Sequence, residues 1–205
     1  MSDFLPVTKE EMLALGWEQP DFVYVSGDAY VDHPSFGAAI ITRVLQAKGY
    51  KVAFISQPDW HKQDDYMRFG KPRLGFFVSS GNIDSMVAHY TVAKKPRSTD
   101  AYTAGGAMGK RPDRAVTVYS NAIKEIYPDT PVIIGGLEAS LRRFAHYDYW
   151  DDKVRPSVLL GSMADLLIFG MGENQTIQIA DRLNNGEPVT QIHDVLGTCY
   201  AVDTK

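Results

Sequence analysis

The sequence predicts a doubly wound α/β domain built on a mainly parallel, five-stranded sheet. Three observations predict it. Short apolar runs alternate along the chain with longer stretches of helical period. The runs at 21–26, 131–136 and 164–170 are near-continuously apolar, the pattern of strands covered on both faces. Four of the five strands end in small residues: Gly27, Ser79–Ser80–Gly81, Gly135–Gly136, and Gly170 with Gly172. Small residues let backbone N–H groups and helix N-termini come close to a ligand.

Each element has its own signal. Residues 1–20 read as an arm, with a short helix in "TKEEMLALGW" capped by Thr8. "DFVYVS" (21–26) is the first strand. "PSFGAAIITRVLQAKGY" (34–50) follows as a helix, with Ala38, Ile41, Val44 and Leu45 on one face. Pro34 suits its first position, Asp32 is placed to cap it, and Gly49 suits its end. "KVAFIS" (51–56) and "RLGFFVS" (73–79) are the second and third strands. A helix over 113–128 stops at Pro128, "PVIIGG" (131–136) is the fourth strand, and "ADLLIFG" (164–170) the fifth. The last helix, 173–186, ends at Gly186, and Glu173 can cap it.

With strand order 2-1-3-4-5, the loops after strands one and three flank the switch point where such sheets bind ligands. The crevice candidates are therefore Asp28, Tyr30, Asp32 and His33 in the first loop, and Ser79, Ser80 and Asn82 in the third. Gly135, Gly136, Gly172 and Glu173 complete them at the fourth and fifth strand ends.

The composition narrows the function. The chain is 44% apolar and 22% charged, with a formal net charge of −4, which gives no case for a nucleic-acid partner. No apolar run approaches the roughly 20 residues of a membrane span, and the start has no secretory pattern, so a cytoplasmic location is expected. One cysteine, Cys199, excludes an internal disulfide or a cysteine-held cluster within the chain. His61, His89 and His193 lack metal-ligand spacing, so neither a metal site nor a catalytic residue is expected. The long connection 90–115, with Lys94, Lys95, Arg97, Lys110 and Arg111, reads as a solvated loop. "LRRFAHYDYWDDKVR" (141–155) is richer than a solvated loop needs to be. Its Arg142, Arg143, His146, Tyr147, Tyr149 and Trp150 are candidates for a domain interface.

Longer stretches carry a resemblance. "PVIIGGLEAS", "ADLLIFGMGE" and "LNNGEPVTQIHDVLGTCY" resemble the cobalamin-binding-type domain that precedes many radical SAM barrels. "VSGDAYVDHPSFGAAIITRVL", "SSGNIDSMVAHYT" and "GGLEASLRRFAHYDYWDDKVRPSVL" are similar to the amino-terminal part of the YgiQ family of radical SAM proteins. The resemblance implies a flavodoxin-like, cobalamin-binding-like domain over 21–197, with 198–205 starting the connection to a barrel. It makes the chain a fragment of a parent that carries a 4Fe–4S cluster on a CxxxCxxC motif. That parent would cleave S-adenosylmethionine to a 5′-deoxyadenosyl radical and act on an unknown substrate. The chain itself lacks the motif. Asp32-His33 followed by Gly37 departs from the D-x-H-x-x-G of histidine-ligated cobalamin domains, so cobalamin binding is expected to be weak or absent. The expected partner is the barrel of the same polypeptide. A short helix from Leu137 should carry 141–155 across the first-strand loop, near Asp28 and His33, to face it. The alternative is a free-standing binding module for cobalamin, flavin or a nucleotide.

Overall fold

A computed structural model describes residues 4–202, so the ends of the predicted arm (1–3) and connection (203–205) lie outside the described residues. In chain order the elements are α1 (Lys9–Ala14), β1 (Phe22–Ser26), α2 (Gly37–Ala47), β2 (Val52–Ser56), α3 (Asp64–Met67) and β3 (Gly75–Ser79). Then come α4 (Ser85–His89), α5 (Ala115–Ile126), β4 (Val132–Ile134), α6 (Gly136–Leu141), β5 (His146–Asp148) and β6 (Lys153–Arg155). The chain closes with α7 (Val158–Gly161), β7 (Leu166–Ile168), α8 (Glu173–Asn184) and β8 (Thr198–Cys199).

The main sheet has six strands in the order β2-β1-β3-β4-β7-β8, one more than the sequence predicts. The five predicted strands are all parallel and in the predicted order. The sixth, β8, pairs antiparallel with β7 through Leu167–Cys199 and Ile168–Thr198. Gly197, at φ +87, makes the turn into it, and its carbonyl accepts from the Phe169 N–H. β5 and β6 form a separate antiparallel hairpin.

Strand alternation divides the core between two faces. Val23 and Val25 of β1 pack with Tyr66, Val116, Tyr119 and Ile123 on the face covered by α3 and α5. Phe22 and Tyr24, the intervening residues, pack with Leu45, Ile179, Ala180 and Leu183 of α2 and α8 on the other. Helices therefore cover both faces, which is why the central strands are apolar at every position.

Two local expectations differ from the structure. Thr8 caps α1 as predicted, in a reciprocal capping box with Glu11. Asp32 does not cap α2. Residues 33–36 form a turn, closed by a bond from the Phe36 N–H to the His33 carbonyl, so the helix starts at Gly37 instead of Pro34. Asp32 then lies outside the first helical turn and pairs with Arg43, whose Nε is 3.0 Å away. Glu173 is likewise no cap: it is the first residue of α8, behind Gly172, and α8 has no side-chain cap.

Candidate functional site

The parallel strands end together, and over their carboxyl ends a crevice of about 280 Å³ opens between α2 and α8. Tyr24, Phe77, Ile133, Ile134 and Ile168 form its floor, and Ile40, Ile41 and Met171 its walls. Glycine shapes it at two places. Gly136 adopts φ +80, and a Cβ there would lie 3.3 Å from the Ser79 Cβ. At Gly172 a Cβ would press to 2.7 Å from the Ile168 Cγ2. Larger residues at either position would push the floor apart.

The polar groups in this crevice are few. Ser79 Oγ accepts from the Tyr24 hydroxyl (3.1 Å) and the Gly81 N–H (3.3 Å). Burial pushes the Tyr24 phenol up to about 12, so it stays a donor at neutral pH. Thr176 lines the crevice and is 1% exposed. Neither α2 nor α8 has a side-chain cap, so first-turn N–H groups of both remain open at this end of the sheet. Glu173 is the only charged residue in the lining.

The loops on either side of the switch point are locked behind the crevice. Arg111 is 1% exposed and bridges two buried carboxylates, Asp28 (2.9 Å) and Asp100 (2.9 Å), while donating to the Ser80 carbonyl (2.6 Å). Asp28 also accepts from the Asn82 N–H at 2.6 Å, and burial pushes its carboxyl up. A Cβ on Gly27 would lie 2.2 Å from the Ser80 carbonyl oxygen, so these loops can meet only through glycine. The connection predicted to be a solvated loop is therefore partly core. Arg111 is buried because two carboxylates neutralise it, Asp100 from the same connection and Asp28 from the first-strand loop, a pairing that local sequence does not reveal.

The structure separates the predicted crevice residues. Ser79, Gly135, Gly136, Gly172 and Glu173 line the crevice. Asp28, Ser80 and Asn82 belong to the locked loops behind it. Tyr30 stacks on Phe54 at 4.5 Å, and its hydroxyl accepts from the Leu5 N–H, toward the amino-terminal arm. His33 is exposed, and its Nδ1 accepts from the Ser35 N–H. The sequence reading missed Tyr24, Ile41, Ile168 and Thr176. Thr176 follows Glu173 by three residues, the spacing that puts both on one helix face.

The segment 141–155 lies elsewhere on the same edge. α6, only six residues long, delivers it to the loop after β3, not across the first-strand loop. Arg142 is caught by Asp84, the cap of α4, and burial lowers the Arg142 pKa. Asp148 then holds Arg114 and Arg155, both at 2.8 Å, and accepts from the Trp150 and Asp151 N–H groups. Trp150 packs tilted against Tyr90, ring centroids 5.2 Å apart, and the Tyr149 hydroxyl donates to the Val92 carbonyl. Arg143 lies over the rings of Phe144 and Phe169, both at 4.9 Å. His146 Nδ1 is 3.1 Å from the Phe144 carbonyl oxygen, and the Tyr147 hydroxyl bonds Asp152. These bonds leave apolar surface outward: Leu141, Phe144, Tyr147 and Val154 are 61%, 64%, 59% and 73% exposed.

The sequence offers a single cysteine ligand for an iron–sulfur cluster. Cys199 is its one thiol, partly covered on β8, and burial raises its pKa. Among the described residues no three His, Cys, Asp or Glu side chains gather as a metal site. Among them, too, no helix is long and apolar enough to cross a membrane.

Comparison with known proteins places the fold. A UPF0313 protein of Clostridium perfringens (strain SM101 / Type A) is 59% identical over 201 residues, 98% of this chain and 30% of the relative. One from Pseudomonas aeruginosa is 57% identical over 197 residues, 96% of this chain and 26% of the relative. The chain thus spans less than a third of the length of these curated relatives. A solved radical S-adenosylmethionine methyltransferase, TsrM from Kitasatospora setae, has the same fold over 89% of this chain and 28% of its own. Its TM-score is 0.57 and its identity 17%. The family model described as "Radical SAM N-terminal" matches residues 4–205, and by that match the chain belongs to the radical SAM amino-terminal family.

Proposed function

We propose that this chain is the accessory domain of a radical SAM protein and that its hairpin edge packs against the rest of the polypeptide, shaping the substrate site. The observation that carries this is the outward apolar surface of 141–155. A surface ring or valine needs no explanation singly, but four along one segment, 141–155, pinned by ion pairs at Asp84 and Asp148, make a patch that fits a protein contact. Relatives more than three times longer than this chain supply the protein to meet it. In the full-length protein, S-adenosylmethionine and a 4Fe–4S cluster would be held by other residues, since one thiol here cannot provide three ligands.

The test uses the full-length protein, reconstituted anaerobically with iron and sulfide and assayed for 5′-deoxyadenosine. Full-length protein should release it and the 205-residue chain should not. Replacing Tyr147 and Trp150 by alanine should cut the release about tenfold while moving the melting temperature of the 205-residue chain by less than about 2 °C. A double variant that unfolds this chain would make the rings core, and unchanged release would remove them from the contact.

A further inference from the structure

We infer that the turn over residues 91–97, beside the β5–β6 hairpin, is the cationic half of the contact face and receives an acidic segment of the longer protein. The inference rests on the accessory role and adds the chemistry of the surface that meets it.

Order comes first. Residues 92–99 are all exposed, yet the turn is closed by its own bonds: the Thr91 N–H donates to the Lys95 carbonyl, and the Lys94 N–H to the Thr91 carbonyl. At its base the Arg97 N–H donates to the His89 carbonyl, and Tyr90 and Pro96 pair as an isolated antiparallel bridge. Asp113 anchors that base: His89 Nδ1 lies 2.6 Å from its carboxylate, and the Tyr90 hydroxyl donates to it at 2.8 Å. The hairpin fixes the other side. The Lys94 ammonium donates to the Trp150 carbonyl at 3.2 Å and lies 4.7 Å over the Tyr149 ring, whose hydroxyl bonds the Val92 carbonyl. Turn and hairpin therefore share one surface, and a turn already fixed loses little entropy on binding. Charge comes next. Elsewhere Arg73, Lys62 and Arg182 find Asp21, Asp59 and Glu187. Lys94, Lys95 and Arg97 pair with no carboxylate among the described residues, although the chain has a net charge of −4. Arg97 Nε is used on the Val87 and Tyr90 carbonyls, and the Lys95 ammonium has no hydrogen-bond partner among those residues. Val92, on the same turn, is 85% exposed. An apolar tip among unpaired cations fits a protein surface that sets carboxylates around an apolar patch. It suits a polyphosphate chain less, because Asp151 and Asp152 stand exposed on the adjoining hairpin.

Acetic anhydride labelling of lysines, read by mass spectrometry, tests this on the full-length protein and on the 205-residue chain. Lys95 should be labelled at least about fivefold more slowly in the full-length protein, while Lys48, exposed at the opposite end of the sheet, reacts alike in both. In the full-length protein Lys95→Glu should speed amide exchange across 141–155 about 3- to 10-fold, and Lys95→Gln should do so less. Neither variant should move the melting temperature of the 205-residue chain by more than about 2 °C, since the ammonium bonds nothing there. Equal labelling of Lys95 in the two proteins, exchange unmoved by Lys95→Glu, or unfolding of the 205-residue chain by both variants would each overturn the inference. In any of these cases, slower exchange of 141–155 in the full-length protein than in the 205-residue chain leaves the accessory role standing, and its absence removes both. A single-stranded oligonucleotide that binds the 205-residue chain more tightly than about 10 μM at about 0.15 M salt, and is lost with Lys95→Glu, would also overturn the inference by making the turn a nucleic-acid site.

Discussion

The crevice is floored by apolar side chains of the sheet and walled by α2 and the turn into α8, whereas the hairpin β5–β6, farther along the same edge, is held by carboxylates and guanidiniums. The materials differ in strength. Truncating a buried ring or branched side chain under the crevice costs about 2–5 kcal/mol, while a partly exposed ion pair contributes about 0–1 kcal/mol. The crevice is therefore as rigid as the core, and the hairpin can open without unfolding the domain. A preformed crevice suits a small rigid ligand. An edge that can adjust, with its apolar side outward, suits a protein contact.

The largest expected effect breaks the lock behind the crevice. Arg111→Ala leaves Asp28 and Asp100 buried without their shared cation and should cost about 3–5 kcal/mol in urea unfolding. A loss under about 1 kcal/mol would show that the loops do not depend on the bridge. Next is Gly81→Ala. Gly81 has φ +103, and a Cβ there would lie 1.9 Å from Asp28 Oδ1. Asp28 is held by Arg111 and the Asn82 N–H and cannot yield freely, so the cost should exceed about 1 kcal/mol. A stability equal to that of the unaltered chain would mean the loops have slack.

Smaller effects belong to the hairpin. Asp148→Asn should speed amide exchange in 146–155 while lowering the melting temperature by less than about 3 °C. An unfolding of the whole domain would erase the contrast between the two regions. Acid should do the same reversibly. Burial alone would raise the Asp148 carboxyl, but the Arg114 bond and the Asp151 and Trp150 N–H groups outweigh it and hold it at about 2. A depressed value means its stabilisation is complete above about 3.9 and is lost as pH falls through about 2. Asp28 runs the other way. Its raised value means ionisation costs the fold, and that cost eases as the carboxyl protonates. Between pH 4 and 2 the Trp150 signal in near-ultraviolet circular dichroism should therefore fade before far-ultraviolet ellipticity does. Coincident loss would contradict it.

Part of this was legible in the sequence and part was not. Strands such as "DFVYVS" and "PVIIGG" announce themselves because burial on both faces leaves no room for polar residues. β8 does not, since two residues, Thr198 and Cys199, carry no pattern and owe their strand to β7 alone. His146–Asp148 has no apolar alternation either; its hairpin rests on Arg114, more than 30 residues earlier in the chain. The same blindness hid Arg111. Small residues pointed to the right edge of the sheet, and Ser79, Gly135, Gly136, Gly172 and Glu173 do line the crevice. The first-strand loop drew attention through its polar side chains. Those side chains serve to lock loops, pair with Arg43 or face solvent, while apolar residues and Thr176 form most of the crevice.

The central claim is that the hairpin edge is a contact surface within a longer protein. Hydrogen exchange read by mass spectrometry tests it directly, on the 205-residue chain and on the full-length protein. The account predicts that amides in 141–155 exchange at least about tenfold more slowly in the full-length protein, with β1, β3 and β4 unchanged. Equal exchange across 141–155 in the two proteins, with protection appearing on another face, would contradict it.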